Sequence, residues 1–193
     1  IKLNNKTFML MDAPPEKEDC VPFVTIDEFF DTNGVRVPHI VAKDLEQGFL
    51  LLEDFGDVLL STQLDDKTVD AHYEQSFKQL IQLQSIDGEG HFPAYSYEKL
   101  ITEMSLLTDW LLPSLQIQPS DDESALIKRT FAILANAALA QPQVIVHRDF
   151  HSRNLMLLVD EQEQGVIDFQ DAVIGADTYD LISITRDAYV QWN

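Results

Sequence analysis

Four polar side chains that could act together in catalysis lie in one short segment of the sequence: His147, Asp149, His151 and Asn154. The segment lies between two apolar runs of the kind that form buried strands, and a third apolar run ends at Asp168. A carboxylate can accept the proton of an attacking hydroxyl, and carboxylate and amide oxygens are ligands for Mg²⁺ on nucleotide phosphates. Asp149, Asn154 and Asp168 are thus of the residue types that phosphoryl transfer requires.

The segment also carries a recognisable motif. Residues 147–154 match letter for letter the kinase pattern H-R-D-x-x-x-x-N, which is followed by a metal-binding aspartate. The chain resembles the kinase-like phosphotransferases of the aminoglycoside phosphotransferase and choline kinase superfamily, whose site reads His-x-Asp-x-x-x-x-Asn and then Ile-Asp-Phe or Ile-Asp-Trp. Several blocks resemble more closely the bacterial kinases that phosphorylate the anomeric hydroxyl of N-acetylmuramate and N-acetylglucosamine. These blocks are residues 11–16, 48–56, 147–155 and 168–172.

The resemblance implies roles for the central residues of the site. Asp149 would be the catalytic base that accepts the proton of the attacking sugar hydroxyl. Asn154 and Asp168 would bind Mg²⁺ on the phosphates of the co-substrate ATP. Adenine would be bound by backbone groups in the segment of Glu53, Asp54 and Phe55.

For the remaining polar residues of the site, the predicted roles are less specific. His151 and Arg153 lie within the catalytic loop, and Asp171 follows the metal-binding aspartate by three positions. All three are candidates for contacts with the phosphoryl group or the sugar. His147 and Asp180 are expected to be structural, with Asp180 bracing the backbone of the catalytic loop from the start of a helix.

Hydrophobic periodicity predicts the elements that must position these groups. Strands are predicted at residues 6–11, 37–42 and 48–53, and a helix at residues 21–32 stops at Asn33-Gly34. Further helices are predicted at residues 64–86, 96–113 and 120–142 and from residue 181 to Trp192. Ser120 and Glu123 form the pattern of a capping box, and Trp110 is expected to lie in the core.

The family resemblance implies an α+β, bilobal, protein-kinase-like fold. Residues 1–56 would form a small, β-rich and incomplete N-lobe together with the hinge strand. Residues 57–193 would form a mainly helical C-lobe that carries the catalytic loop and is truncated at its C-terminus. A chain of 193 residues with 45% hydrophobic residues can bury one good core, or two small lobes around a cleft.

The N-terminal part departs from the kinase pattern. A glycine-rich phosphate loop is expected before the first strand, yet no G-x-G-x-x-G occurs in the sequence. The place of the strand lysine is taken by Met11-Asp12, so that Lys6 and Lys17 are the nearby substitutes. Glu28 is the best candidate for the helix carboxylate that orients such a lysine. We therefore expect the sequence to be clipped at its N-terminus.

Composition limits the partners and the compartment. With 13 basic and 33 acidic residues the net charge is −20, which argues against nucleic acids and anionic membranes as partners. The charge fits a soluble protein, or one that attracts a cationic substrate such as an aminoglycoside.

The one cysteine, Cys20, cannot form an internal disulfide. No apolar run approaches the ~20 residues of a membrane span, and no signal peptide is visible. We expect a cytoplasmic protein whose partners are a small sugar and a nucleotide.

Several alternatives stay open at this point. The acceptor could be an aminoglycoside or a choline-like alcohol. A non-catalytic binding module of the same fold is favoured by the missing loop and lysine and opposed by the intact set of site residues. The spacing His147-x-Asp149-x-His151 would, on a straight strand, suggest a metal-dependent hydrolase. A protein kinase is disfavoured because only 11 residues separate Asp168 from Asp180, which leaves no room for an activation loop.

Overall fold

The computed structural model describes residues 1–3, 6–158 and 163–191, and its architecture is mixed α+β. A four-stranded antiparallel sheet of order β1-β2-β4-β3 forms the N-terminal region. Its strands are β1 (Lys2–Leu3), β2 (Lys6–Asp12), β3 (Ile40–Asp44) and β4 (Phe49–Glu53). The predictions at residues 6–11 and 48–53 are confirmed. The third strand begins later than predicted, after Pro38, which has no N–H to donate to a strand ladder.

One helix, α1 (Cys20–Thr32), packs against this sheet and confirms the prediction at residues 21–32. It begins at Asp19, whose side chain accepts a hydrogen bond from the backbone N–H of Val21. It ends before Gly34, which has a φ of +79° and so adopts the left-handed conformation that often follows a helix. A second glycine, Gly48, has a φ of +76° and lies so close to Ala13 that a Cβ atom would collide with its carbonyl oxygen. This close approach holds the segment that follows β2 against β4.

The rest of the chain is mainly helical. Its helices are α2 (Val69–Gln84), α3 (Tyr97–Met104), α4 (Leu112–Ser114), α5 (Asp121–Leu139) and α6 (Thr178–Thr185). Two antiparallel strand pairs are nested between α5 and α6. The outer pair is β5 (Gln143–Val146) with β8 (Val173–Ala176), and the inner pair is β6 (Leu155–Leu158) with β7 (Glu163–Val166). The nesting places residues 147–154 and 167–172 in the two connections between the pairs.

Local sequence signals located some helix boundaries and missed others. The capping box at the start of α5 is confirmed, since Ser120 and Glu123 bond to each other's backbone N–H. The helix predicted at residues 96–113 is helical over most of its length but is not one continuous α-helix, since α3 ends at Met104. There a π-helical turn, Leu107–Leu111, leads into α4, and the hydroxyl of Ser105 bonds back to a carbonyl of α3. Trp110 lies on this turn and is 73% exposed, so the prediction that it is a core residue is also wrong.

Two further helices are shorter than predicted. The helix predicted at residues 64–86 begins only at Val69, because Asp65 accepts hydrogen bonds from Lys67 and Thr68 in a preceding turn. The helix predicted from residue 181 begins earlier and ends at Thr185. Trp192, which was assigned to this helix, lies outside the described residues.

The main hydrophobic core is shared by the sheet region and the helical region. Its buried members include Phe30 of α1, Ile145 and Leu155 beside the catalytic loop, Phe169 beside Asp168, and Ile184 of α6. The segments that carry the polar site residues therefore rest on the same packed interior as α1. Within the described residues, no helix is both long and apolar enough to cross a lipid bilayer.

Candidate active site

The catalytic loop, residues 147–154, connects β5 to β6 and presents one exposed carboxylate on a buried base. Asp149 is exposed, whereas the next residue, Phe150, is completely buried in the main core. The backbone N–H of His151 donates to the carbonyl of Asp149, and that of Asn154 donates to the carbonyl of His151, both at 2.9 Å. These bonds fold the loop into tight turns and hold Asp149 in an accessible position.

Asp180 of α6 holds the backbone just before Asp149. Its fully buried carboxylate accepts hydrogen bonds from the backbone N–H groups of His147 at 2.6 Å and Arg148 at 3.0 Å. Burial raises the pKa of Asp180 to about 7, because desolvation outweighs the two N–H donors that favour the charged form. Arg148 has a φ of +78°, an unfavourable conformation for a residue with a side chain. The two backbone bonds therefore stabilise a strained backbone.

His147 connects the two site segments through its ring. The Nδ1 atom accepts a hydrogen bond from the N–H of Asp149 at 3.3 Å, so Nε2 carries the proton and donates to the carbonyl of Ile167 at 3.0 Å. The ring is completely buried, and desolvation lowers its pKa to about 4. His147 is therefore neutral at physiological pH. Because both nitrogens are engaged, the ring is not free to act as the metal ligand that a hydrolase site would require.

Asn154 connects the loop to Asp168. Its Nδ2 group donates to the carbonyl of Asp149 at 3.0 Å and to the Oδ2 atom of Asp168 at 3.2 Å. The other carboxylate oxygen of Asp168 accepts a bond from Gln170 at 2.8 Å. Asp168 also has a left-handed backbone, with a φ of +64°. The Asn154 amide therefore links the backbone of Asp149 to the carboxylate of Asp168.

The oxygen atoms of Asn154 and Asp168 fit the preferences of Mg²⁺. This ion is usually held by one or two carboxylates together with substrate phosphates, and keeps water as further ligands. Among the described residues, the His, Cys, Asp and Glu side chains do not form a group of three or more that could hold a metal. The arrangement thus suits a metal that arrives with a nucleotide.

Phe169 fixes the position of Asp168 relative to α1. The Phe169 ring is fully buried and stacks on Phe23 with ring centroids 5.1 Å apart. It also packs against the edge of Phe30 at 5.7 Å. Both partners belong to α1, so the helix packs directly against the residue that follows the metal-binding candidate.

A cleft of about 530 Å³ opens between the N-terminal region and this site. Asn154, Asp168 and Asp171 line it from one side, and Glu18 and Asp19 at the start of α1 line it from the other. Within the described part of the chain, no lysine or arginine lines this cleft. The carboxylates among these lining residues, Glu18, Asp19, Asp168 and Asp171, make the cleft attractive to a cation.

Glu28, the predicted helix carboxylate of the N-terminal region, pairs with a lysine that the sequence did not suggest. Glu28 of α1 pairs with Lys43 of β3 at 2.5 Å, rather than with Lys6 or Lys17. The side chains of Glu28 and Lys43 are 57% and 41% exposed, so the pair lies at the protein surface. Sequence reasoning did not single out Lys43.

In the segment expected to bind adenine, residues 53–55, all three side chains make contacts within the protein. Glu53 accepts two hydrogen bonds of 2.7 Å from Arg36, which lower its pKa. The Phe55 ring lies under the Arg36 guanidinium at 4.6 Å and against Gly165, where a Cβ atom would overlap the ring. Asp54 accepts a bond from the N–H of Gly56. None of residues 53–55 lines the cleft, so their contact with adenine stays a prediction.

The three candidates for phosphoryl or sugar contacts lie in two places. Asp171 is exposed, lines the cleft, and lies 3.8 Å from the Arg148 guanidinium. His151 and Arg153 instead lie against Tyr189, beyond the end of α6. The Nδ1 atom of His151 is buried without a hydrogen-bond partner in the described chain. Their roles toward a substrate stay predictions.

Sequence reasoning missed three residues that contact the catalytic loop. Glu103 of α3 pairs with Arg148 at 2.8 Å and accepts a bond from the hydroxyl of Tyr95. Asp187 accepts a bond from the N–H of Ser152, and Tyr189 packs on the neighbouring side chains. No local pattern indicates these contacts, because each joins parts of the chain that are distant in sequence.

Comparison with known proteins gives a consistent result. The model of a family described as "Phosphotransferase enzyme family" matches residues 1–193. An N-acetylmuramate/N-acetylglucosamine kinase of Pseudomonas aeruginosa is 42% identical over 189 residues, which cover 97% of this chain and 55% of the relative. A kinase with the same name from Neisseria meningitidis is 35% identical over 194 residues, covering 98% of this chain and 57% of the relative. The chain thus spans about half the length of these curated relatives.

Solved structures with a similar fold are aminoglycoside phosphotransferases. ADP-bound APH(2'')-Ib superposes with a TM-score of 0.64 at 21% identity, over 93% of this chain and 64% of that chain. APH(3'')-Id from Streptomyces rimosus, in complex with ADP and streptomycin, gives 0.64 at 14% identity, over 93% and 70%. At these identities the similarity concerns the fold, and it confirms the predicted α+β, protein-kinase-like architecture. The boundary near residue 56 between the two lobes stays a prediction.

Proposed function

Since the chain belongs to the phosphotransferase enzyme family, we propose that it carries the catalytic loop of a Mg²⁺-dependent sugar kinase. The reaction transfers the γ-phosphoryl group of ATP to the anomeric hydroxyl of N-acetylmuramate or N-acetylglucosamine. The observation that carries this proposal is the hydrogen bonding of Asn154 to both Asp149 and Asp168. It connects Asn154 to the backbone of the base candidate and to the carboxylate of Asp168, and both Asn154 and Asp168 line the cleft.

In this proposal, Asp149 is the base. It accepts the proton of the sugar hydroxyl as the oxygen bonds to the γ-phosphorus and the bond from that phosphorus to the bridging oxygen of ADP breaks. Asn154 and Asp168 hold the metal. Bound Mg²⁺ supplies positive charge that offsets the negative charge of the phosphates. Asp180 fixes the backbone just before Asp149, and the His147 ring accepts from the N–H of Asp149 itself, so that its carboxylate needs little reorganisation.

The identity of the sugar that accepts the phosphoryl group is a separate part of the proposal. Relatives at 42% and 35% identity are named as kinases of N-acetylmuramate and N-acetylglucosamine, which supports this acceptor class. An aminoglycoside is the second candidate, because the four carboxylates that line the cleft would attract a polycation. We also propose that the reaction takes place in the cytoplasm, where ATP is supplied.

The test uses the complete protein with Mg-ATP and a panel of N-acetylmuramate, N-acetylglucosamine, aminoglycosides and choline. ADP release measures turnover, and ³¹P NMR identifies the phosphorylated position. The methyl glycoside of N-acetylglucosamine is the matched control, since its anomeric oxygen is blocked. We expect an anomeric phosphate from the free sugars and none from the glycoside. Turnover of aminoglycosides alone would overturn the sugar assignment, and nucleotide binding without any turnover would favour a non-catalytic module.

A further inference from the structure

A short segment that follows α6 contacts the centre of the catalytic loop. Asp187 is 8% exposed, and its Oδ2 atom accepts a hydrogen bond from the backbone N–H of Ser152 at 2.8 Å. Its Oδ1 atom accepts one from the N–H of Tyr189, also at 2.8 Å. One carboxylate thus ties the backbone of the loop to the backbone of a turn that lies 35 residues further along the chain.

The ring of Tyr189 holds the side chains on both sides of Ser152. The His151 ring meets it edge to face with centroids 5.0 Å apart. The Arg153 guanidinium carbon lies 4.3 Å from its centroid, within the range of a cation–π interaction. Asp187 and Tyr189 together therefore contact three consecutive loop residues, one through its backbone and two through their side chains.

These three residues lie within the stretch that joins the proposed base to a proposed metal ligand. Only four residues separate Asp149 from Asn154. The first part of the loop is held by Asp180, and the carbonyl of Ser152 accepts a bond from the N–H of Ser61 at 2.9 Å. The N–H of Ser152 depends on Asp187. Because Ser152 is completely buried, loss of that acceptor would leave a buried donor without a partner, and the loop would have to move to satisfy it.

We infer that Asp187 and Tyr189 are positioning residues that form a clamp on residues 151–153 and thereby set the spacing between Asp149 and Asn154. The catalytic meaning of this clamp rests on the proposed kinase function, whereas its effect on loop geometry does not. Neither residue touches the reacting atoms in this role. Asp187 acts through the backbone of Ser152, and Tyr189 acts through the side chains of His151 and Arg153.

The first experiment measures the loop itself by amide hydrogen exchange in the complete protein. Asp187→Ala removes both acceptor oxygens, and Asp187→Asn keeps one, so exchange of residues 151–154 should increase from wild type to Asn to Ala. Asp44→Asn is the matched control. The Asp44 carboxylate also accepts two hydrogen bonds, from the backbone N–H and the side chain of Gln47, but it lies in β3 and not beside the loop. Unchanged exchange in the loop of the Asp187 variants would overturn the clamp, even if the protein has no kinase activity.

The second experiment measures catalysis. Asp187→Asn should lower kcat and raise the Mg²⁺ concentration for half-maximal rate by about 10- to 100-fold, the usual effect of losing a residue that supports a metal ligand. Asp44→Asn should match wild type in both quantities. A lower melting temperature of Asp187→Asn without a change in kcat or Mg²⁺ dependence would mean that Asp187 only stabilises the fold, and would overturn the inference while the proposed function stands.

Tyr189 provides a test that does not depend on the Asp187 variants folding. Tyr189→Leu removes the aromatic face and should lower kcat by about 2- to 5-fold, consistent with one exposed cation–π contact. Tyr189→Phe keeps the ring and should restore most of the rate and the slow exchange of the loop. Equal behaviour of the Leu and Phe variants would show that the ring does not position the loop.

Discussion

The catalytic loop and the N-terminal sheet region hold their charged side chains in different ways. Around the loop, buried carboxylates accept hydrogen bonds from backbone N–H groups, as Asp180 and Asp187 do. In the sheet region, side-chain charges pair with each other instead: Glu53 of β4 with Arg36, which are partly buried, and Glu28 with Lys43, which are about half exposed. Buried carboxylates thus fix the backbone of the loop, whereas the sheet region joins side chain to side chain.

In the proposed kinase site, this difference would separate two tasks. The geometry of the base and the metal ligands must be set before the substrates arrive, because small displacements have large effects on rate. Phosphate binding needs positive charge, which the lining residues of the cleft in the described ranges do not supply. We therefore expect variants near the loop to affect kcat, and variants of the surface pair to have little effect on catalysis.

Asp149→Asn should have the largest effect. Removing the proposed base should lower kcat by about 10²- to 10⁴-fold, whereas the nucleotide affinity should stay near the wild-type value. Steady-state kinetics give kcat, and calorimetric titration with ADP and Mg²⁺ gives the affinity. A loss of nucleotide binding with a similar loss of rate would assign Asp149 to metal binding or structure instead.

Asp180→Asn should weaken both the fold and the activity. The amide keeps one acceptor oxygen, so one of the N–H groups of His147 and Arg148 loses its partner, which costs about 1–3 kcal/mol of unfolding free energy. Urea unfolding measures this loss, and kinetics at a temperature where the variant is folded measure the remaining rate. A variant with wild-type kcat would show that the backbone before Asp149 needs no bracing, and would weaken the contrast between the two regions.

The pH dependence of stability should distinguish the two buried groups that flank the base. The pKa of Asp180 is raised from 3.8 to about 7, so the folded state binds more protons and unfolding free energy falls as pH rises through this range. The pKa of His147 is lowered from 6.5 to about 4, so the unfolded state binds more protons and stability rises with pH between these values. The two contributions oppose each other between about pH 4 and 6.5.

Urea unfolding at pH 4.5, 5.5 and 6.5 tests this opposition. The stability difference between wild type and His147→Gln should increase with pH, and that between wild type and Asp180→Asn should decrease, each by at most about 1.4 kcal/mol per pH unit. Slopes of the same sign in both variants would contradict the assignment of the two pKa shifts.

Glu103→Gln tests the outer support of the loop. The variant keeps an oxygen that can accept from Arg148 but loses the charge that pairs with it. Because this ion pair is only partly buried, we expect a fall in kcat of about 2- to 10-fold and little change in nucleotide affinity. Parallel kinetics of wild type and variant at low and high salt provide the check. A variant as active as wild type at both salt concentrations would limit the supports to the buried carboxylates.

Glu28→Gln should have the smallest effect. Loss of an exposed ion pair with Lys43 should change the unfolding free energy by about 0.2–1 kcal/mol and leave kcat unchanged. Lys43→Met, which removes the other partner, is the matched variant. A large fall in kcat in either variant would mean that the sheet region contains a catalytic ion pair after all, and would remove the contrast between the two regions.

The sequence was informative wherever the signal was local. The capping box of Ser120 and Glu123 could be predicted because both partners lie within one helical turn. The polar segment at residues 147–154 was likewise predicted to lie between two strands, and it connects β5 to β6; its catalytic role stays a prediction. The α+β architecture followed from the family resemblance, and structural comparison confirmed it.

Features set by the surrounding protein could not be predicted. The left-handed backbones of Arg148 and Asp168 are imposed by hydrogen bonds and packing from other elements, and neither residue type signals them. The bond between Asp187 and Ser152 joins positions 35 residues apart, for which no local pattern exists. Trp110 was misplaced because its apolar character fits a helix face, while the π-helical turn directs it to solvent.

The stacking of Phe169 on α1 makes the metal-binding candidate and the helix thermodynamically linked. Densely packed rings cannot shift independently, so the orientation of α1 and the position of Asp168 change together. If a ligand that contacts α1 changes the affinity for the metal by a given factor, then the metal must change the affinity for that ligand by the same factor. A contact made at the start of α1, at the far side of the cleft, would thus be measurable as a change in the dissociation constant of Mg²⁺.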